Sequence, residues 1–265
     1  MASPDKDKSQ VKLFISTPCY DSMMTMQYTM SILNLNTLLT KCGIEYVIDF
    51  IGNESLIPRA RNNSLAKFIK SEFTHILFID SDIEFPAKAV LDLINVDKDV
   101  ACCAYSKKSF NWNRFMRSMQ TEIQSKESLE SRGLDYNYNA FLDEDNKLVK
   151  SDNDVYIRVK HASTGFMLIK REIVNKLCQK HTELTIKTDG LDKNDNTICG
   201  LFCCMIKDKV YLSEDYSFCA RVNDIGGEVW LNIKHNLNHV GKHVFRSDIQ
   251  NREKLLRTRS ERSYY

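Results

Sequence analysis

Two aspartates close an apolar run in this chain, His75-Ile76-Leu77-Phe78-Ile79-Asp80-Ser81-Asp82. Residues i and i+2 of an extended segment project to the same side, so Asp80 and Asp82 can converge on one ligand while Ser81 faces away. Carboxylates at the carboxyl end of a buried strand can hold a divalent ion against a phosphate. The same pair can also cap a turn and meet solvent, so companions decide. Ile57-Pro58-Arg59-Ala60-Arg61-Asn62 opens a helix with two arginines, and both a helix N terminus and a guanidinium fork favour phosphate or a nucleobase edge. An ordinary solvated helix face carries such charges too. Ser213-Glu214-Asp215 opens another helix, with Ser213 placed as its cap. Acids there complement the helix dipole, and an ionised Asp215 or Glu214 can also take a proton from an alcohol. His239, in Asn238-His239-Val240-Gly241, would complete a metal site if Asp82 carries the ion, with His243 as its competitor.

These residues need a scaffold that brings them together. Apolar patterning predicts a strand over 11–16, a break at Thr17-Pro18-Cys19-Tyr20-Asp21, a helix over 22–40 closed by Gly43, and a strand over 44–51. A loop at Asn53-Glu54-Ser55 leads to a helix over 58–70 with Pro58 in its first turn. A strand over 75–79, a helix over 86–95 and a strand over 99–105 follow. Strands separated by helices of this length imply parallel pairing with right-handed crossovers, an α/β doubly wound sheet. Ligands on such sheets bind beyond the carboxyl ends of the strands, where loops 17–21, 53–61 and 80–84 gather.

The pattern fails over 106–154, a polar, aromatic and charged stretch that reads as a functional loop or lid holding part of an acceptor site. Order resumes with strands over 155–160 and 165–169 and a helix over 171–180. After an uncertain loop at 181–196 come a strand over 209–212, a helix over 213–225 stopped by Gly226-Gly227, and a strand over 228–231. With no internal repeat or Pro/Gly/Ser linker, one domain is expected.

Composition narrows the classes. The 265 residues are 43% hydrophobic, ample for a core, and a net charge of +2 gives no reason to expect nucleic acid. Residues 1–10 lack the apolar core of a secretory signal, and no stretch reaches the roughly 18 to 20 apolar residues that span a bilayer. The expectation is a soluble, cytoplasmic protein. Nine cysteines is an odd number, several in apolar contexts such as Cys102-Cys103, which fits a reducing compartment. Cys199, Cys203 and Cys204 lack paired Cys-x-x-Cys knuckles and read as buried or loop thiols ahead of a zinc site.

In order along the chain, Asp80-Ser81-Asp82, the strand Gly165-Phe166-Met167-Leu168-Ile169, Glu214-Asp215 followed by Gly226-Gly227, and His239-Val240-Gly241 resemble the nucleotide-sugar glycosyltransferases of the GT-A fold. More narrowly, Thr17-Pro18, Asn53 to Asn62 and Phe78-Ile79-Asp80-Ser81-Asp82 are similar to glycosyltransferase-like proteins of large DNA viruses and phages. The resemblance covers roughly residues 11–245, with a flexible 1–10 before it and a tail over 246–265. It implies one domain with a Rossmann-like nucleotide-sugar half (11–105) and an acceptor half (106–245), a Mn2+ or Mg2+ cofactor, a UDP-sugar as first donor guess, a glycan or glycoprotein acceptor, and the host cytoplasm if viral. It implies Thr17 and Pro18 at the nucleobase, Arg59 and Arg61 near base or diphosphate, Asp80 and Ser81 at the donor, and Asp80, Asp82 and His239 at the metal. Glu214 and Asp215 would lie under the acceptor, with Asp215 as base of an inverting reaction. The Arg/Gln-x-x-Arg-Trp motif of processive synthases is missing. A haloacid dehalogenase-type phosphohydrolase also uses Asp-x-Asp, but at its first strand and followed by different residues than Ile83-Glu84. A nucleotide- or glycan-binding module without turnover is the alternative from another class.

Overall fold

The computed structural model describes residues 11–119, 126–187 and 197–250. The expected flexible segment 1–10, the end of the tail beyond 250, and parts 120–125 and 188–196 of the two irregular stretches lie outside the described residues.

The chain opens with β1 (Lys12–Cys19), α1 (Met26–Lys41), β2 (Glu45–Gly52), α2 (Ile57–Lys70), β3 (His75–Ile79), β4 (Ile83–Glu84), α3 (Lys88–Asn95) and β5 (Val100–Phe110). It continues through α4 (Trp112–Ser118), α5 (Lys126–Ser131), β6 (Leu134–Tyr136), β7 (Tyr138–Ala140), β8 (Tyr156–Ala162), β9 (Phe166–Lys170) and α6 (Arg171–Lys180). Short strands β10 (Thr185–Lys187), β11 (Thr197–Cys199), β12 (Met205–Lys207) and β13 (Val210–Leu212) precede α7 (Glu214–Asp224), β14 (Val229–Val240) and β15 (Val244–Phe245).

The main sheet has the order β2-β1-β3-β9-β5-β14-β8-β7. Strand β1 is parallel to β2 and β3, and β5 is parallel to β14. Strand β9 lies antiparallel between β3 and β5, so those two share a direction, and β8 is antiparallel to β14. The result is a mixed, mostly parallel α/β sheet in one domain. Alternation along its strands feeds two cores. Phe14, Ile76 and Phe78 face α2, α6 and α7 on one side. Leu13, Ile15, Leu77 and Ile79 face α1 and α3 on the other. Helix α1 shows why: Tyr28, Ile32, Leu35 and Leu39 form one buried stripe, Thr25 caps its start by accepting from Tyr28 N at 3.2 Å, and Gly43 ends it at φ 66°.

Three expectations are corrected. Strand β1 does not break at Thr17-Pro18 but runs to Cys19; β3 pairs only as far as Ser16, so Pro18 lies where one flank has no ladder to lose. Residues 106–154 are not an unpatterned lid. Strand β5 continues to Phe110 and pairs with β6 through a shifted register, which hides its period, and α4, α5, β6 and β7 follow. The last long strand extends from Val229 to Val240 instead of stopping at Leu231. Its bulge is built by buried Asn232, whose side-chain oxygen accepts from the backbone N–H of Lys234 at 2.8 Å and His235 at 3.1 Å. All nine cysteines are free, and Cys19, Cys102, Cys103 and Cys219 are buried.

Candidate active site

Asp80 is the first residue beyond β3. Its backbone N–H bonds the Gly165 carbonyl at 3.0 Å, and Ile83 N bonds back to the Asp80 carbonyl at 3.1 Å, closing a tight turn that carries Ser81 and Asp82. The Ser81 carbonyl accepts from Thr25 at the start of α1, which fixes the turn from the other side. Strand β4 then pairs antiparallel with β14, His239 opposite Ile83, and Val240 N bonds the Asp82 carbonyl at 2.8 Å. Backbone pairing therefore brings the aspartate turn and His239 together.

Asp80 and Asp82 diverge in their partners. Asp80 Oδ1 accepts from Arg61 Nη2 at 3.0 Å, and Arg61 Nε lies 3.7 Å from Glu214 Oε1. Arg61 is 4% exposed and sits over the Phe78 ring. Burial works against its charge, and Asp80 and Glu214 outweigh that and raise its pKa. Its Nε and Nη1 are buried without a hydrogen-bond partner among the described residues. Burial, then the neighbouring Asp215, pushes the Glu214 carboxyl up, with Arg61 opposing.

Asp82 faces two cationic or basic groups. Lys108 Nζ donates to Oδ2 at 2.5 Å, and His239 Nε2 lies 3.4 Å from Oδ1. Burial raises the Asp82 pKa, and His239 and Lys108 outweigh it and hold the carboxyl below its usual value. His239 Nδ1 donates to the Ser106 carbonyl at 2.8 Å, which leaves Nε2 facing a carboxylate oxygen: an imidazolium donates there, as in the pull on Asp82, whereas a neutral ring offers a lone pair beside a second acceptor. Two such acceptors repel unless a proton or a metal ion lies between them. Asp82 Oδ1 has no hydrogen-bond partner among the described residues. An orphaned carboxylate oxygen beside an imidazole anchored through its other nitrogen on a backbone carbonyl fits a divalent ion. Asp80 is not part of this pair, and among the described residues no three His, Cys, Asp or Glu side chains gather as a metal centre. His243 pairs with Glu130 at 2.9 Å instead.

Asp215 lies at the start of α7. Ser213 occupies the N-cap position, but its hydroxyl donates to Asp215 Oδ1 instead of capping the helix, and Tyr216 N donates to the same oxygen at 2.8 Å. Tyr216 stacks on His161, ring centroids 4.7 Å apart.

The residues expected at the nucleotide have separate surroundings. Thr17 is fully buried with its hydroxyl 2.6 Å from Tyr28 Oη, whereas Pro18 is half-buried. Arg59 turns to Glu54, Nη2 to Oε1 at 2.8 Å, on the exposed side of α2.

Three residues at the site have no role in the sequence reading. Lys108 falls where β5 changes register, and Tyr105 is buried with its ring edge-on to His239 at 5.1 Å. Burial, with Asp80 nearby, lifts the Tyr105 phenol well above its ordinary pKa, so it stays a neutral donor or acceptor. Gly165 donates to Tyr105 Oη at 3.1 Å, and a Cβ there would meet that oxygen at 2.2 Å and Asp80 Oδ2 at 2.4 Å. A glycine just before an apolar strand was the available signal for it.

The fold and this site define a mixed α/β protein with a polar, charged cluster beyond the carboxyl end of β3 and beside the second half of β5. No protein-family model matches the sequence, and no curated protein matches it. Among solved structures the chain is similar to GalNAc-T7 with UDP, GalNAc and Mn2+, at 10% identity and TM-score 0.44, over 89% of this chain and 45% of that one. It thus spans less than half the length of that protein. It is also similar to the inositol-1-phosphate CTP transferase from T. maritima, at 10% identity and TM-score 0.36, over 87% and 89% of the two chains. A third is the nucleoside-diphosphate-sugar pyrophosphorylase from Vibrio cholerae, at 11% identity and TM-score 0.35, over 83% and 71%. Identities this low leave activity to be read from the residues. Among the described residues no helix is long and apolar enough to cross a membrane.

Proposed function

We propose that the chain is a metal-dependent glycosyltransferase that moves a sugar from a nucleoside-diphosphate sugar, a UDP-sugar first, to a hydroxyl of a glycan or glycoprotein. The observation that carries this reading is Arg61, a buried guanidinium that ties the strand-end Asp80 to Glu214 at the start of α7 and keeps two donors unfilled. It gathers an anion-binding group, a donor-side carboxylate and an acceptor-side acid into one site. Asp82 and His239 would hold Mn2+ or Mg2+, which when bound neutralises charge on a departing diphosphate. Asp80 orients the donor, and Arg61 stabilises the negative charge near it. Asp215, its Oδ1 fixed by Ser213 and the Tyr216 N–H, takes the acceptor proton as the oxygen attacks, which gives inversion at the anomeric carbon.

Calorimetry with UDP and GDP, with and without Mn2+, followed by product detection, tests this. Asp82→Ala is expected to lose Mn2+-dependent nucleotide binding, whereas Asp215→Asn keeps binding and loses transfer. Normal turnover by both variants would remove the reading, and nucleotide binding by the wild type without transfer or hydrolysis would favour a binding module.

A further inference from the structure

Lys108 has no place in the chemistry above, yet it sits on the carboxylate that chemistry needs. Its ammonium is 2.5 Å from Asp82 Oδ2, on the opposite oxygen from His239. Ammonium and side chain are not sealed in: Lys108 is 37% exposed and Asp82 29%. A pair this open adds little to stability, so its placement calls for another reason. The stem runs past Gly241, where a Cβ would come within 3.1 Å of Lys108 Cδ, so a residue with no side chain leaves the passage the lysine occupies. The shifted register of β5 beyond Ser106 is what presents Lys108 at this spot.

We propose that Lys108 is a built-in counter-cation for Asp82, competing with the divalent ion for that carboxylate and passing to the diphosphate of an arriving nucleotide, so that ion and nucleotide bind as a pair. This rests on the metal-dependent reading of the site. A carboxylate already neutralised by an ammonium attracts a divalent ion weakly, and an ion bound there repels the ammonium. The nearest use for a displaced ammonium on a flexible four-carbon stem is the anionic leaving group itself. The ion alone is then held poorly, and the nucleotide makes room for it.

Titrations of the full chain with Mn2+ alone, and with UDP at saturating Mn2+, test this in Lys108→Met and Lys108→Gln. Both variants are expected to bind Mn2+ about tenfold more tightly without nucleotide and UDP about tenfold more weakly with it, an ordinary size for coupling between two sites. A damaged fold would weaken both, so the gain in Mn2+ affinity is the telling readout. Mn2+ affinity that is level or lower in both variants, or unchanged UDP affinity, overturns the proposal. Asp82→Asn separates the two levels. If it still binds Mn2+, the metal reading fails and this inference with it; if it loses Mn2+ while the Lys108 variants match wild type, the Lys108 assignment alone fails.

Discussion

Arg61 is the side chain with the least freedom in the site, held by Asp80, faced by Glu214 and seated on Phe78. Replacing it leaves two acids confronting each other in a space built for a cation. Arg61→Met is expected to cost about 3 kcal/mol in urea unfolding, the usual order for breaking a buried pair from one side, and to abolish nucleotide binding. A loss within roughly 0.5 kcal/mol, the range of ordinary surface changes, would show that the guanidinium does not hold the site together. Gly165→Ala probes the same site from β9: the added methyl cannot coexist with Tyr105 Oη and Asp80 Oδ2 where they stand. About 1–3 kcal/mol of stability should go with it, along with affinity for UDP, both readable by thermal melts with and without nucleotide. Asp80, Asp82, Arg61, Glu214 and His239 were legible as candidates because their chemical type and their place near element ends set them apart, and the structure gathers them into contacting groups. Lys108 was not, because it lies where the strand shifts register and carries no period from which to read where its side chain points, and Tyr105 reads as one more residue of the strand expected over 99–105.

At the scale of elements, β3 was read to the residue because four apolar positions in a row between polar ends admit few alternatives. Strand β14 was seen only in its first quarter, since a bulge formed by a buried asparagine looks, in sequence, like the end of a strand. The entry to β3 carries its own titration. His75 bonds Thr74 Oγ1 through Nδ1 at 2.8 Å, and burial first, then the charge of Lys170, lowers its pKa to about 4 from 6.5. The unfolded chain takes up this proton at a higher pH than the folded one. Stability from this group is therefore complete above pH 6.5 and falls as pH drops toward about 4, by about 3 kcal/mol in all. Urea midpoints measured from pH 7 to 4 should decline for the wild type and decline less for His75→Gln. Equal slopes for the two proteins would assign the acid sensitivity elsewhere.

For the whole molecule, the order β3-β9-β5 matters most, because a strand from the second half of the chain lies between two strands of the first. Alternating strand and helix patterns made the α/β class legible, but no local pattern says that a later strand will insert antiparallel into the middle of the sheet; that is decided by pairing across the chain. The strands of residues 11–105 lack the one that joins β3 to β5. A fragment of residues 1–105 is expected to show no cooperative unfolding transition by circular dichroism, whereas the full chain shows one; a cooperative fragment would mean that β3 and β5 can pair without β9. The short pairing of β4 with β14 has a kinetic counterpart. It sets Asp82 beside His239 through backbone hydrogen bonds, so the two are neighbours before anything binds. The disorder lost in bringing these distant stretches of chain together is settled at folding. Capture of an ion should then be free of any loop-closure delay, its observed rate rising in proportion to ion concentration until the departure of the lysine becomes the slower event.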